Sequence, residues 1–192
     1  THTSRSRTVF DTAPFRSPWM TEELDALRAH TRAFLEKETA PNLERWAEQG
    51  YVDRDFWNKA GDAGLLCISI PEEYGGLGLD MRSYVCVMEE IAKKCATATL
   101  FISSANSLST QPILLSGTEE QKAKYLPGVA DGSSKISFAL TEPNAGSDAG
   151  SLKTKAVKDG DSYILNGVKC FITMAPIADY HIVYAKTDPD KG

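Results

Sequence analysis

The feature that most limits what this chain can fold into is a change of period near Ala130-Asp131-Gly132. Before it, apolar residues recur at three- and four-residue steps; after it, they alternate with polar ones. The first spacing lines one side of an α-helix, the second one face of a strand. A run of helices followed by a run of short strands predicts an α+β, multidomain assembly. Residues 1–131 would form an all-α helical domain with a loosely ordered arm at 1–19, and residues 132–192 an incomplete antiparallel β-barrel or sandwich domain.

In the helical part, residues 21–38 read as one helix, with Leu24, Leu27, Thr31, Phe34 and Leu35 on a common side. Glu22 and Glu23 lie in its first turn, at the positive end of the helix dipole. Pro41 interrupts the pattern before residues 43–47 resume it. Asp53 is placed to cap a short helix carrying Phe56, Trp57 and Ala60, with Gly64 at its end. Gly75-Gly76-Leu77-Gly78 predicts a tight loop, and it lacks the spacing of a dinucleotide-binding turn. From Asp80, an apolar stripe of Met81, Tyr84, Val85, Met88, Ile91, Ala92 and Cys95 leaves Glu89, Glu90, Lys93 and Lys94 to solvent. Residues 96–109 carry no charge, which predicts a helix buried on every side. Thr118-x-x-Gln121 is a capping box for a last helix that ends before Pro127.

Residues 135–141, 151–158, 162–166, 168–174 and 180–186 read as strands. Asp159-Gly160 and Asn166-Gly167 have the residues of type I′ hairpin turns, so consecutive strands are expected to run antiparallel. The sequence stops inside what should be a closed sheet, and an unclosed one exposes edges.

Composition narrows the function classes. The net charge of −5 gives no reason to expect nucleic acid or an anionic membrane as partner, and no apolar run approaches the ~20 residues that span a bilayer. Cys67, Cys86, Cys95 and Cys170 form no C-x-x-C pair, and His2, His30 and His181 share no ligand spacing. Free thiols in a reducing compartment, cytoplasm or mitochondrial matrix, and no metal are the expectation. Residues 1–19 faintly resemble a transit peptide in their Ser, Thr and Arg content, but Pro14 and Pro18 break an amphipathic helix.

The stretch Ile136-Ser137-Phe138-Ala139-Leu140-Thr141-Glu142-Pro143-Asn144-Ala145-Gly146-Ser147-Asp148 begins as an alternating strand and breaks into a loop of turn formers. Pro143 withholds a donor, Gly146 would permit a backbone closed to other residues, and Thr141 and Ser147 bring hydroxyls. Such a loop suits a phosphate or a carbonyl-bearing ring. From Leu140 to Asp148 it also resembles the flavin-binding signature of the acyl-CoA dehydrogenase family. Three more blocks resemble that family in its own order: residues 70–79 (IPEEYGGLGL), 117–127 (GTEEQKAKYLP) and 165–173 (LNGVKCFIT).

The resemblance implies FAD-dependent oxidation of an acyl-CoA thioester to the 2,3-enoyl product, with electron-transferring flavoprotein as acceptor and a homodimer or homotetramer as the full-length form. It places Phe138, Leu140 and Thr141 against the flavin ring, Gly146 and Ser147 at the pyrophosphate, and Phe171, Ile172 and Thr173 along the ring. It places Leu100, Phe101, Ser104 and Leu108, with Ser147, around the acyl substrate. Phe171 stands where many members have Trp, and Met174 where many have a small polar residue, which should alter polarity beside the flavin. The family's base is a Glu of a C-terminal helical domain to which none of these 192 residues corresponds, so the chain alone should not turn over. Glu142 reads instead as an acceptor for buried donors, and Glu89, Glu90, Glu119 and Glu120 as solvated charge. Other readings are an acyl-carrier-protein dehydrogenase, an oxidase or hydroxylase on the same fold, or a non-catalytic partner subunit.

Overall fold

Thr21 opens the first helix, α1 (Glu22–Phe34): its hydroxyl accepts from the Leu24 amide at 3.3 Å, with Glu22, Glu23 and Asp25 in the first turn. The computed structural model describes residues 16–188; most of the expected N-terminal arm, His2 included, and residues 189–192 lie outside it. The interruption at Pro41 is a change of winding. The chain passes through a wide turn (Leu35–Thr39) and a tight one (Ala40–Asn42) into α2 (Leu43–Gln49), because proline neither donates nor fits a regular helical interior. In α3 (Arg54–Asp62), Asp53 sits at the N-cap but does not cap. Its carboxylate is taken by Arg45 (Nη1 to Oδ1, 2.9 Å) and Gln49 (3.0 Å), charge-assisted bonds that outcompete a backbone amide.

The tight loop at 75–78 is present, with Gly75 at φ +85° and Gly78 at +60°. It leads to α4 (Met81–Lys94), whose expected stripe holds in part: Ile91 is buried and Tyr84, Met88 and Cys95 pack against the core, but Met81, Val85 and Ala92 are exposed while Ser83, Cys86, Val87 and Glu90 are buried. The reason is α1, packed alongside. Arg32 reaches Glu90 with two bonds of 2.6 and 3.0 Å, and Lys93 adds one of 2.8 Å, so the face turned inward carries a carboxylate that is 3% exposed. Glu90 is therefore not solvated charge. Arg32, then Lys93, hold its carboxyl down at about 2 against the opposing effect of burial.

A folded-state value lowered from 4.5 means the stabilisation is complete above pH ~4.5 and is lost as pH falls towards ~2. Arg32 and Lys93 are more than half exposed, so salt and water screen the pair, and about 2 kcal/mol is expected. Urea unfolding should show Glu90→Gln less stable than wild type by about that much at pH 7, with the gap closing as pH falls through ~2. A gap that does not close on acidification would show that lost packing, not charge, is responsible.

The next helix, α5 (Ala96–Asn106), is shorter than expected and not buried all round: Ala96, Thr97 and Leu100 are exposed. An uncharged helix needs only one covered face, and here Ala98, Ile102 and Ala105 supply it. Asn106 closes the packing, accepting from the Ile68 amide (2.6 Å) and donating to Leu65 O (2.9 Å). After α6 (Gln111–Ser116), the capping box on Thr118 and Gln121 starts α7 (Glu119–Ala130) as expected. This helix runs through Pro127 instead of ending before it. Ala123, whose carbonyl loses its helical partner, is on the exposed side, and Ala130 closes the last turn.

Helices give way to strands where the period changes: α7 ends at Ala130 and β1 begins at Ile136 (Ile136–Ala139). β2 (Lys155–Asp159) and β3 (Ser162–Asn166) form an antiparallel hairpin. Its loop is Gly160-Asp161, one residue later than Asp159-Gly160, and only Gly160 has positive φ (+57°), the type II′ pattern. β4 (Tyr180–Val183) pairs with β1 in parallel, Ile136 opposite Tyr180 and Ala139 opposite Val183, so the all-antiparallel expectation fails at this pair. The long stretch between them supplies the crossover that parallel strands need. Residues 168–174 are not a strand, since φ of +56° at Phe171 and +65° at Met174 cannot join a ladder. Residues 149–151 form a tight turn, and the strand expected at 151–158 begins only at Lys155.

Candidate functional site

β1 leads into a loop that closes on itself: Glu142 N donates to Ala145 O (3.0 Å) and Ala145 N to Glu142 O (3.1 Å), around Pro143-Asn144. Ala145 is buried while Gly146 and Ser147 are exposed. Gly146 has no positive φ, and a Cβ there would meet nothing within 4 Å, so its expected special backbone is absent.

Glu142 organises the region as an acceptor. It takes bonds from the Lys153 amide (2.6 Å), the Thr154 amide (2.9 Å), the Thr154 hydroxyl and the Lys169 ammonium (2.8 Å). Lys169 first, then Thr154 and the backbone amides, hold the carboxyl well below the usual carboxylate range. Lys169 also donates to Leu140 O (2.9 Å), and the Cys170 amide donates to Thr141 O (3.0 Å). The loops at 140–148 and 167–174 are thus fastened side by side. Gly167 is needed for this closeness: a Cβ would stand 2.2 Å from the Thr154 hydroxyl. Its role is close approach, not the type I′ turn that Asn166-Gly167 predicts.

The sequence-predicted flavin residues gather on these two loops and the strand feeding them. Phe138 is half-buried with its ring 5.0 Å from Tyr184, and Leu140, Thr141 and Ile172 are half-buried. Ser147 and Thr173 are exposed, and Phe171 is 92% exposed. Among the described residues, no protein acceptor meets the backbone N–H of Gly146, Ser147, Ile172 or Thr173. Free amides, hydroxyls and one uncovered aromatic ring on adjacent loops suit a flat ligand with many acceptors and an anionic tail. Met174 does not border this surface as expected. It has a positive φ and its side chain packs in the core, 7% exposed.

The expected acyl residues divide. Leu100 (64% exposed) and Leu108 (49%) lie open, while Phe101 packs its ring 5.6 Å from Trp57. Ser104 is buried and bonded to the Ser109 hydroxyl (2.9 Å), which donates to Ile136 O, so it ties α5 to β1. Sequence reasoning gave no role to Lys169 or Thr154, and gave Gly167 only that of a turn residue. Only a lysine 27 residues from Glu142 hinted at the pair, and such a separation has no local signature.

Family models locate these features. The model of the acyl-CoA dehydrogenase N-terminal domain matches residues 21–133, and that of the acyl-CoA dehydrogenase middle domain matches residues 137–192. The chain is 47% identical, over 91% of its length and 46% of the relative's, to the caffeyl-CoA reductase-Etf complex subunit CarC of Acetobacterium woodii. It is 46% identical, over the same shares, to a 3-(aryl)acrylate reductase of Clostridium sporogenes. An acyl-CoA dehydrogenase structure from Geobacillus kaustophilus superposes with a TM-score of 0.86 at 43% identity, covering 91% of this chain and 46% of that one. The chain thus spans about half the length of these relatives. Both models match in order and together cover most of the sequence: the chain belongs to the acyl-CoA dehydrogenase family.

Proposed function

We propose that residues 1–131 and 132–192 are the helical domain and part of the middle domain of an FAD-dependent acyl-CoA dehydrogenase, contributing to its flavin and acyl sites. The observation that supports this best is the pair of loops locked through Glu142 and Lys169, with free amides, hydroxyls and Phe171 on their open side. Bound FAD would supply the hydride acceptor for the β-hydrogen. Thr141 and Thr173 would hold the polar edge of its ring, Phe171 would cover the ring and exclude water, and the Gly146 and Ser147 amides with the Ser147 hydroxyl would hold the pyrophosphate. Glu142 is not the base in this reading. A carboxylate bound by four donors and lowered in pKa is a poor proton acceptor, so another carboxylate takes the α-proton. Leu100 and Leu108 would meet the acyl chain, and electron-transferring flavoprotein would reoxidise the flavin.

A second reading keeps the site and reverses the net direction, so that an enoyl or arylacryloyl thioester is reduced. It is favoured by the two relatives named as reductases. The test is anaerobic titration of the full-length enzyme. Bleaching of the oxidised flavin band by a saturated acyl-CoA supports dehydrogenation. A flavin that ignores saturated acyl-CoAs, yet is reoxidised from its reduced form by an arylacryloyl-CoA, supports reduction. A protein that carries no flavin, or whose flavin responds only to oxygen, overturns both.

A further inference from the structure

A cleft of about 330 Å³ has a buried lysine, Lys135, among its lining residues. Lys135 is 2% exposed, and its ammonium makes one long hydrogen bond, to Gly132 O at 3.3 Å, with Nζ 5.3 Å from the centre of the Trp57 ring. Among the described residues no carboxylate oxygen comes within 4.0 Å of it. Asp179 spends its oxygens elsewhere: both accept from Arg54 Nη2 (2.9 and 3.0 Å), and one also from the Lys135 backbone amide (2.8 Å). Beside Lys135 stand Arg54 and the start of α3, whose first amides have no side-chain cap because Asp53 is turned to Arg45. The remaining walls are Tyr51, Val52, Pro176, Ile177 and Ala178, apolar but for the Tyr51 hydroxyl.

A buried cation without a counter-ion either gives up its proton or gains an anion. Burial, then the neighbouring Arg54, push Lys135 down to about 8, with Asp179 opposing, so at neutral pH most of it keeps its charge. We propose that the cleft walled by Tyr51, Val52, Arg54, Lys135, Pro176 and Ile177 is a binding site for a small carboxylate with a short apolar tail. The carboxylate lies on the Lys135 ammonium and the free side of the Arg54 guanidinium, and the tail on Val52, Pro176 and Ile177. A volume near 330 Å³ is at the lower end of ligand pockets, which suits an acid of a few carbons. Pro176 and Ile177 continue the turn that begins at Ile172, through Ala175 N to Ile172 O (3.2 Å) and Ile177 N to Met174 O (2.9 Å). The bound acid therefore braces the loop that bears Phe171, Ile172 and Thr173.

The test uses butyrate and its neutral counterpart butyramide, titrated into the purified protein by saturation-transfer NMR and by the fluorescence of Trp57. Butyrate is expected to bind wild type, at least about ten-fold more tightly than butyramide does and at least about ten-fold more tightly than it binds Lys135→Met. Arg54→Gln should weaken it several-fold. Methionine keeps the lysine stem's bulk, and thermal melting checks that this variant folds. If it does not fold, the Arg54→Gln and butyramide comparisons decide. No butyrate binding at millimolar concentration, equal binding of the amide, or full binding by Lys135→Met would overturn the site. None of these readouts requires flavin or acyl-CoA, so the outcome is separate from that of the proposed dehydrogenase.

Discussion

Replacing Gly132 by alanine is expected to cost the fold about 3 kcal/mol or more, while the same change at Gly160 costs about 1 kcal/mol. Both glycines have positive φ, +78° and +57°, so the intrinsic penalty of a left-handed backbone is shared. They differ in what a Cβ would meet. At Gly132 it would stand 2.2 Å from the Trp57 carbonyl oxygen and 2.8 Å from the Asn58 amide nitrogen; at Gly160 it meets nothing within 4 Å. A flexible side chain could yield, but backbone inside α3 cannot. The contact matters because it seats the start of the β part on the helices. A Cβ on Gly61 would likewise lie 2.5 Å from the Asp131 carbonyl oxygen, so the two segments meet backbone to backbone. With total stability of order 5–15 kcal/mol, a loss of ~3 would shift a urea midpoint plainly. Equal shifts for the two variants would mean that φ, not the close approach, sets the cost.

The order of helices then strands was legible because it rests on periodicity, which is local. Capping at Thr118 was legible for the same reason: its partner is three residues away. What failed was set by distant neighbours. The apolar spacing of residues 81–95 was real, but which side of α4 turned inward was decided by Arg28 and Arg32 on another helix, about sixty residues earlier. The parallel pairing of β1 with β4 was hidden because hairpin signals speak only for adjacent strands. At 168–174, alternation mimicked a strand, and nothing in Phe171 or Met174 announces a positive φ, which side chains rarely adopt and which only the surrounding packing maintains.

The candidate site divides along the same line. The loop at 140–148 was readable from its turn formers, and Glu142 as an acceptor followed from the family pattern. That Gly146 is an ordinary residue in open space, while Gly167 is the glycine in close contact, depends on Thr154 and could not be read from either tripeptide.

The same geometry makes Glu142 the residue whose loss should reach the site most directly. In Glu142→Ala, Lys169, with 11% of its side chain exposed, keeps only the Leu140 carbonyl, and the Lys153 and Thr154 amides lose their acceptor. Glu142→Gln is no milder in kind. It offers one oxygen to four donors and turns an N–H₂ group toward amides or an ammonium. Both variants should keep the helical circular dichroism of wild type, because no helix bonds to this carboxylate, yet the full-length enzyme should hold flavin at least about ten-fold more weakly. Lys169→Met should lose less, since Glu142 keeps three of its four donors. Adding Lys169→Met to Glu142→Ala should restore part of the loss, because the double change leaves no unpaired buried charge. Acid gives an independent readout. The group's pKa is lowered from 4.5, so its contribution is complete above that pH and disappears as pH falls through the lower folded value. Flavin release measured by ultrafiltration and fluorescence should therefore rise on acidification in wild type, and the step assigned to this carboxyl should be missing in Glu142→Gln. If Glu142→Ala holds flavin as tightly as wild type, the two loops do not depend on Glu142 for their alignment, and the bonds of Cys170 to Thr141 and of Lys169 to Leu140 suffice to hold them.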